Sequence, residues 1–251
     1  MTLHIGIDYT TFLLFGKWHL KYHNVPMESP MRSAESPATA TRSVGEIAAS
    51  LPGATAVFRR HKLDFCCGGS ESLAEAARKK GLDPAAIAAE LAGLPPQDSP
   101  IPDNSDDIIN YIVERYHDVH RRELPELRNL AARIEEVHAG HPAVPKGLSQ
   151  LLARMQAELE SHMEKEEQIL FPMMRMGGNP MIVHPIAMMR HEHDEHGEAL
   201  DMLAAITGDL KLPGDACSTW RALYAGLGKL VEDLTEHMHI ENNILFPRFE
   251  A

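Results

Sequence analysis

The stretch His162-Met163-Glu164-Lys165-Glu166-Glu167-Gln168-Ile169-Leu170-Phe171-Pro172 has a second version in this chain, His237-Met238-His239-Ile240-Glu241-Asn242-Asn243-Ile244-Leu245-Phe246-Pro247. Both read His-x-x-x-Glu followed by Ile-Leu-Phe-Pro, 75 positions apart. A spacing of four stacks a histidine and a glutamate on one helical face. Upstream of each copy runs an apolar stripe. One is Leu148, Leu152, Met155, Leu159, then His162, Glu166, Ile169; the other is Leu223, Leu227, Leu230, Leu234, then His237, Glu241, Ile244. Steps of four and three mark the core-facing seam of a bundle helix. A lone carboxylate in such a seam carries a heavy desolvation cost. One occurrence would read as a buried His–Glu hydrogen bond; two equivalent occurrences point to metal.

Two further segments share the pattern. His117-Asp118-x-His120 and His193-Asp194-x-His196 lie 76 positions apart. Their stripes are Val113, His117, His120, Leu124, Leu127 and Ile182, Ile186, Met189, His193, His196, Leu200, Leu203. Geometry alone does not choose between His117 and His120, or between His193 and His196; the unchosen pair are candidates to hydrogen-bond the ligands or make polar contacts in the bundle. Four histidines and two glutamates suit iron, manganese or zinc. Shared glutamates with two histidines per ion leave positions open, which implies reactivity.

Periodicity predicts four long helices, over 105–138 (with Pro125 kinking it), 145–174, 180–206 and 215–249, and no strand. The fold class is all-α. Residues 41–95 read as a small helical domain. In it Ser43-x-x-Glu46 is a capping box, Ser70 caps a helix that stops at Gly81, and Asp83-Pro84 opens another. The proline-rich stretch 96–104 reads as a linker, 105–251 as the bundle, and 1–40 as a disordered extension, or as sequence upstream of a start at Met27 or Met31.

The formal charge of −12 excludes a basic nucleic-acid interface and an affinity for anionic membranes. No run approaches the roughly 20 apolar residues that span a bilayer. The run Thr11–Phe15 lacks the basic start of a secretory signal. Three cysteines, two of them adjacent, point to a reducing compartment. Eleven of the fifteen histidines fall after position 116, where the repeats lie.

These motifs resemble a hemerythrin-like bundle, with departures. Oxygen-carrying hemerythrins have His-x-x-x-His in the third helix, where this chain has Gly197 four after His193; they end the last motif in Asp, where this chain has Asn242. With Asp64-Phe65-Cys66-Cys67-Gly68-Gly69, Arg115-Tyr116-His117-Asp118 and Glu192-His193-Asp194-Glu195 added, residues 41–249 resemble the iron–sulfur cluster repair di-iron proteins, the repair of iron centres family. The resemblance implies two iron ions in a non-haem, oxo- and carboxylate-bridged centre. It implies ligation by His117, His162, Glu166, His193, His237 and Glu241, with the glutamates bridging. It further implies repair of clusters damaged by nitric oxide or oxidative stress, by donating iron to damaged iron–sulfur proteins. Nitric oxide reduction at the di-iron site, or non-catalytic sensing of O2 or NO, is the alternative. A cytoplasmic location and a homodimer are expected.

Other residues enter as expectations. Glu158, one turn before His162, and Glu192, beside His193, are candidates to hydrogen-bond ligands or guide iron. Cys66-Cys67 is read as a reactive thiol pair on an exposed turn. Cys217 and the methionines from Met173 to Met189 are read as packing, and His239 as surface.

Overall fold

The computed structural model describes residues 37–95 and 101–250. The expected extension and half of the expected linker thus lie largely outside the described residues. Residues 37–40, assigned to that extension, instead begin a short helix, α1 (Pro37–Thr41).

Helices α2 (Val44–Ser50), α3 (Ala54–Arg60), α4 (Leu73–Lys79) and α5 (Pro84–Ala92) follow. Three of the four begin at a side-chain cap; α3 follows Gly53 without one. Ser43 and Glu46 form the expected capping box, and Asp83 caps α5 with Pro84 in its first turn. Ser72, not Ser70, caps α4; the residue three beyond Ser72 is Glu75, which completes a second capping box. The helices enclose their own core of Val44, Ile47, Val57, Phe58, Phe65, Leu73, Ile87 and Leu91. Among the described residues the one β-like feature is an isolated bridge between Ser43 and Ser72.

The bundle comprises α6 (Ser105–Ile112) and α7 (Asp118–Val137), α8 (Leu148–Lys165) and α9 (Phe171–Arg175), α10 (Val183–Thr207), and α11 (Ser218–Ile240). Three of its four long helices are not continuous α-helix. Wide π-helical turns interrupt them at Val113–His117, Glu166–Leu170 and Glu241–Leu245. There the N–H of Phe171 reaches the Glu166 carbonyl, and that of Phe246 the Glu241 carbonyl, five residues back. Pro172 and Pro247 follow immediately, in the first turn of the helical segment that comes next, where their missing N–H costs least. Such turns recur at functional sites.

Each π turn holds one residue more than an α turn, so the seam slips by one. Ile169 and Ile244, expected in the core, are displaced: Ile169 is 54% exposed and Leu170 is 1% exposed in its place. Leu245 likewise replaces Ile244, and Ile112 replaces Val113. Helix α10 has no π turn, and its stripe keeps its expected register at Ile182, Ile186, Met189, His193, His196 and Leu203, with Ala199 buried beside a half-buried Leu200. The methionine stretch divides. Met174 and Met189 are core, whereas Met176 and Met181, in the connection from α9 to α10, and Met188, on the outer face of α10, are exposed.

The small domain docks on the last π turn. Gly45 and Gly69 lie against Asn243, whose side-chain nitrogen donates to the Phe65 and Cys66 carbonyls at 3.1 and 3.3 Å. A Cβ on Gly45 would collide with Asn243 Oδ1 and stand 2.8 Å from the backbone oxygen of Gly69. Gly45→Ala should therefore lower stability by about 1–3 kcal/mol, the scale of overpacking, in a denaturant titration. An unchanged midpoint would refute this close docking.

Candidate metal centre

Two apolar clusters fill the bundle. One holds Leu124, Leu152, Leu159, Leu227 and Leu234; the other holds Ile108, Ile112, Leu170, Ile186, Leu245 and Phe246. Between them lies a layer of ionisable side chains, each 0–1% exposed: His117, His162, Glu166, His193, His237 and Glu241. They form two groups whose donor atoms lie within 4.8 Å of one another. One is His117, Glu166, His237 and Glu241; the other is His162, Glu166, His193 and Glu241. Both glutamates belong to both groups.

The repeated Ile-Leu-Phe-Pro motif packs the walls of this layer. Phe171 stacks on His117, and Phe246 stacks on His193 at 6.0 Å and 4°. Tyr116 lies parallel to His237, with ring centroids 5.4 Å apart.

The layer fits a cation. Neither oxygen of Glu166 has a hydrogen-bond partner, although the residue is wholly buried. Nε2 of His162 faces Nε2 of His193 at 3.2 Å, and Nε2 of His117 faces that of His237 at 3.1 Å. The outer nitrogens of His162 and His193 each meet an acceptor, Glu192 Oε2 at 2.9 Å and Asn242 Oδ1 at 2.9 Å. A neutral imidazole donating from Nδ1 presents a lone pair at Nε2. Two lone pairs at that distance repel unless a positive charge lies between or beside them.

Without a metal, protons supply that charge. Burial depresses the His117 imidazole, but the charge of Glu166, 3.4 Å from its Nε2, and the hydrogen bond from its Nδ1 to Glu167 outweigh it and push it up to about 9. Burial likewise opposes protonation of His193, and Glu241 overrides it, again to about 9. His237 is shifted down, mainly by burial. Glu241 resists protonation: burial works against its charge, but His237 and His193 hold it well below the carboxylate range.

Two partners of the inner histidines were not foreseen. Glu167 accepts from His117 Nδ1 at 2.7 Å and from Arg121 at 2.8 Å. The bond from His117, with Arg121 behind it, holds Glu167 down at about 2. Asn242 takes the outer nitrogen of His193. Their only sequence signal is adjacency to Glu166 and Glu241, and helical spacing turns neighbours away from each other. Glu192, which was foreseen as a partner, lies between His162 Nδ1 and Lys165 Nζ, the latter at 2.6 Å, and His162 holds it at about 2.

Several expectations are corrected. Glu158 touches none of the six; it is half-exposed, with Arg154 3.8 Å away, because it lies on the outer side of α8. His120 and His196 are buried, but Nε2 of each is unpartnered; their rings pack on His237 and His162 without a hydrogen bond. Burial first, then the neighbouring histidines, drive both below the usual imidazole range, His196 to about 3. His239 is wholly buried, because the small domain covers that face of α11 and seats Phe65 on its ring. The Cys66-Cys67 turn is docked, not exposed: Cys66 is 8% exposed and Cys67 half-buried. Their sulfurs are 3.6 Å apart, with Asp64 beside them. Burial and the Cys67 contact raise the Cys66 thiol well above its usual range, led by that contact, which argues against a resting thiolate. Cys217 lies 3.4 Å from His138 Nε2 at the far end of the bundle.

Residues 108–249 match the family described as Hemerythrin HHE cation binding domain, and residues 40–94 match a Domain of Unknown function (DUF542). The chain is similar to the iron-sulfur cluster repair protein YtfE of Escherichia coli O81 (strain ED1a), 48% identical over 212 residues, covering 82% of this chain and 94% of the relative. The protein of that name from Citrobacter koseri is 47% identical over the same span. No helix among the described residues is long and apolar enough to cross a membrane.

Replacing Glu166 separates a cation site from a structural ion pair. Glu166→Leu should abolish tight uptake of divalent iron and cost the metal-free fold less than about 3 kcal/mol, since the ion pair with His117 that is lost is offset by removal of a buried carboxylate with no hydrogen bond. A loss of about 3–5 kcal/mol in the metal-free protein would mean that Glu166 serves only as an internal partner. The raised imidazoles set a pH dependence. Their contribution to metal-free stability is complete below the usual 6.5 and is lost as pH rises through about 9. Metal-free thermal stability should fall across that window. Iron uptake at neutral pH should release protons, read by calorimetry in buffers of different ionisation enthalpy.

Proposed function

We propose, because this chain belongs to the hemerythrin HHE cation-binding family and to the iron–sulfur cluster repair proteins within it, that it restores damaged iron–sulfur clusters by giving up iron held in the buried layer. One observation carries this reading: two histidine–glutamate groups share a carboxylate that has no hydrogen bond of its own. In this reading His117 and His237 hold one ion, His162 and His193 the other, with Glu166 and Glu241 shared. The di-iron, oxo-bridged form belongs to the same reading. When bound, iron supplies Lewis acidity and one-electron chemistry at positions that the protein leaves open.

The residues also make the cargo removable. As an ion departs, His117 and His193 take up protons, so Glu166 and Glu241 are never left facing an empty, uncompensated interior. Glu167 and Glu192 keep the outer nitrogens of His117 and His162 satisfied in either state. The recipients are iron–sulfur proteins damaged by nitric oxide or oxidative stress, met in the cytoplasm, and a homodimer is compatible with this role. Nucleic acid and membranes are not partners of a chain with this charge. Nitric oxide reduction and O2 or NO sensing rest on the same six residues. They differ from donation in where the iron ends.

The test mixes iron-loaded protein with a cluster enzyme inactivated by nitric oxide, under reducing, anaerobic conditions. Recovery should track iron leaving this protein, and Glu166→Leu should give none. Iron that stays bound while nitric oxide is consumed would replace donation with reduction.

A further inference from the structure

The outer nitrogens of the four inner histidines are served unequally. His117 and His162 meet carboxylates of the bundle, Glu167 and Glu192, each held by a cation. Nδ1 of His237 meets nothing. His193 meets a neutral carboxamide, Asn242 Oδ1, at 2.9 Å.

That carboxamide has a second bond. Asn242 Nδ2 donates to the Cys66 carbonyl at 3.1 Å, in the small domain. The carbonyl accepts only, so it fixes which way the amide points. Oδ1 must face His193, so His193 must donate from Nδ1 and present Nε2 to the interior. The same turn reaches this histidine again, with Cys67 Sγ 3.5 Å from the His193 carbonyl oxygen. No such chain of contacts runs to the outer nitrogens of His117 or His237.

We propose that Asn242 is a positioning residue that couples the docked turn of residues 64–69 to one metal position, the one formed by His162, Glu166, His193 and Glu241. The inference rests on the reading of the layer as a two-ion centre. With the turn docked, His193 is held in its ligating tautomer. With the turn displaced, Asn242 loses the partner that orients it, and that position alone loosens. The two ions therefore differ in how firmly they are held, and the small domain controls one of them.

The full-length protein is loaded anaerobically with ferrous iron, and iron transfer to a ferrous chelator is followed by stopped flow. Asn242→Leu should speed the loss of one ion by roughly 10–100-fold and leave the other at its wild-type rate. Asn242→Asp keeps an acceptor for His193 and should retain slow loss. Gly69→Ala leaves every inner residue intact but places a Cβ 2.6 Å from Asn243 Oδ1 and 2.9 Å from the Phe65 carbonyl oxygen, so the turn and the Asn243 side chain that holds it must shift apart. It should reproduce the Asn242→Leu phase and should have no such effect in the Asn242→Asp background. Cobalt-loaded samples should show a changed d–d absorption for half of the metal in Asn242→Leu. Unchanged rates in Asn242→Leu, or in Gly69→Ala, would overturn the coupling. So would equal acceleration of both ions in step with a lower Tm, which marks a merely structural residue. Wild-type protein that takes up no ferrous iron would sink the centre itself, and this inference with it. A centre that loads two ions but ignores these variants would fail the inference alone.

Discussion

Everything in this structure answers to two carboxylates, Glu166 and Glu241, placed where bundle helices require apolar side chains. Burying them costs several kcal/mol apiece unless charge of the opposite sign meets them. Four histidines meet them, two from each side, and the aromatic rings of Tyr116, Phe171 and Phe246 seal the layer. Positive charge then reaches the carboxylates in one of two forms, as protons on His117 and His193 or as the cations of the proposed centre. An interior built so can exchange one for the other without being left charged and unpaired.

The π turns are the backbone's part in this arrangement. Each begins or ends on one of the inner residues, His117, Glu166 or Glu241. By adding a residue to the turn, they let a helix present an ionisable side chain and, beyond it, a different apolar face. The slip from Ile169 to Leu170 is the visible result. It also carries Phe171 and Phe246 over the histidines of neighbouring helices. The proline after each phenylalanine removes one N–H from the helical ladder just beyond the π turn.

The small domain is more than an appendage. Its glycines admit Asn243, its Cys66 carbonyl receives Asn242, and its Phe65 buries His239. A turn whose sequence suggested reactive, exposed thiols is a docking element, with Cys66 kept as a neutral thiol by burial and its neighbour.

Spacing within single helices was readable from the chain alone. The His-x-x-x-Glu repeats, the apolar stripes and the capping boxes are statements about angles along one helix, and local periodicity carries them. The all-α class and the inward direction of His162, Glu166, His237 and Glu241 follow from that. What lay beyond it involves two surfaces at once. The grouping of His117 rather than His120, and of His193 rather than His196, required the family resemblance in sequence and is seen directly in the structure. The pairing of Glu167 with His117 depends on the rotation of one helix against another. The burial of His239 and Cys66 depends on which face of α11 the small domain covers. Periodicity has no term for either, because rotation and docking are fixed by packing between segments up to 178 positions apart, as Phe65 and Asn243 are.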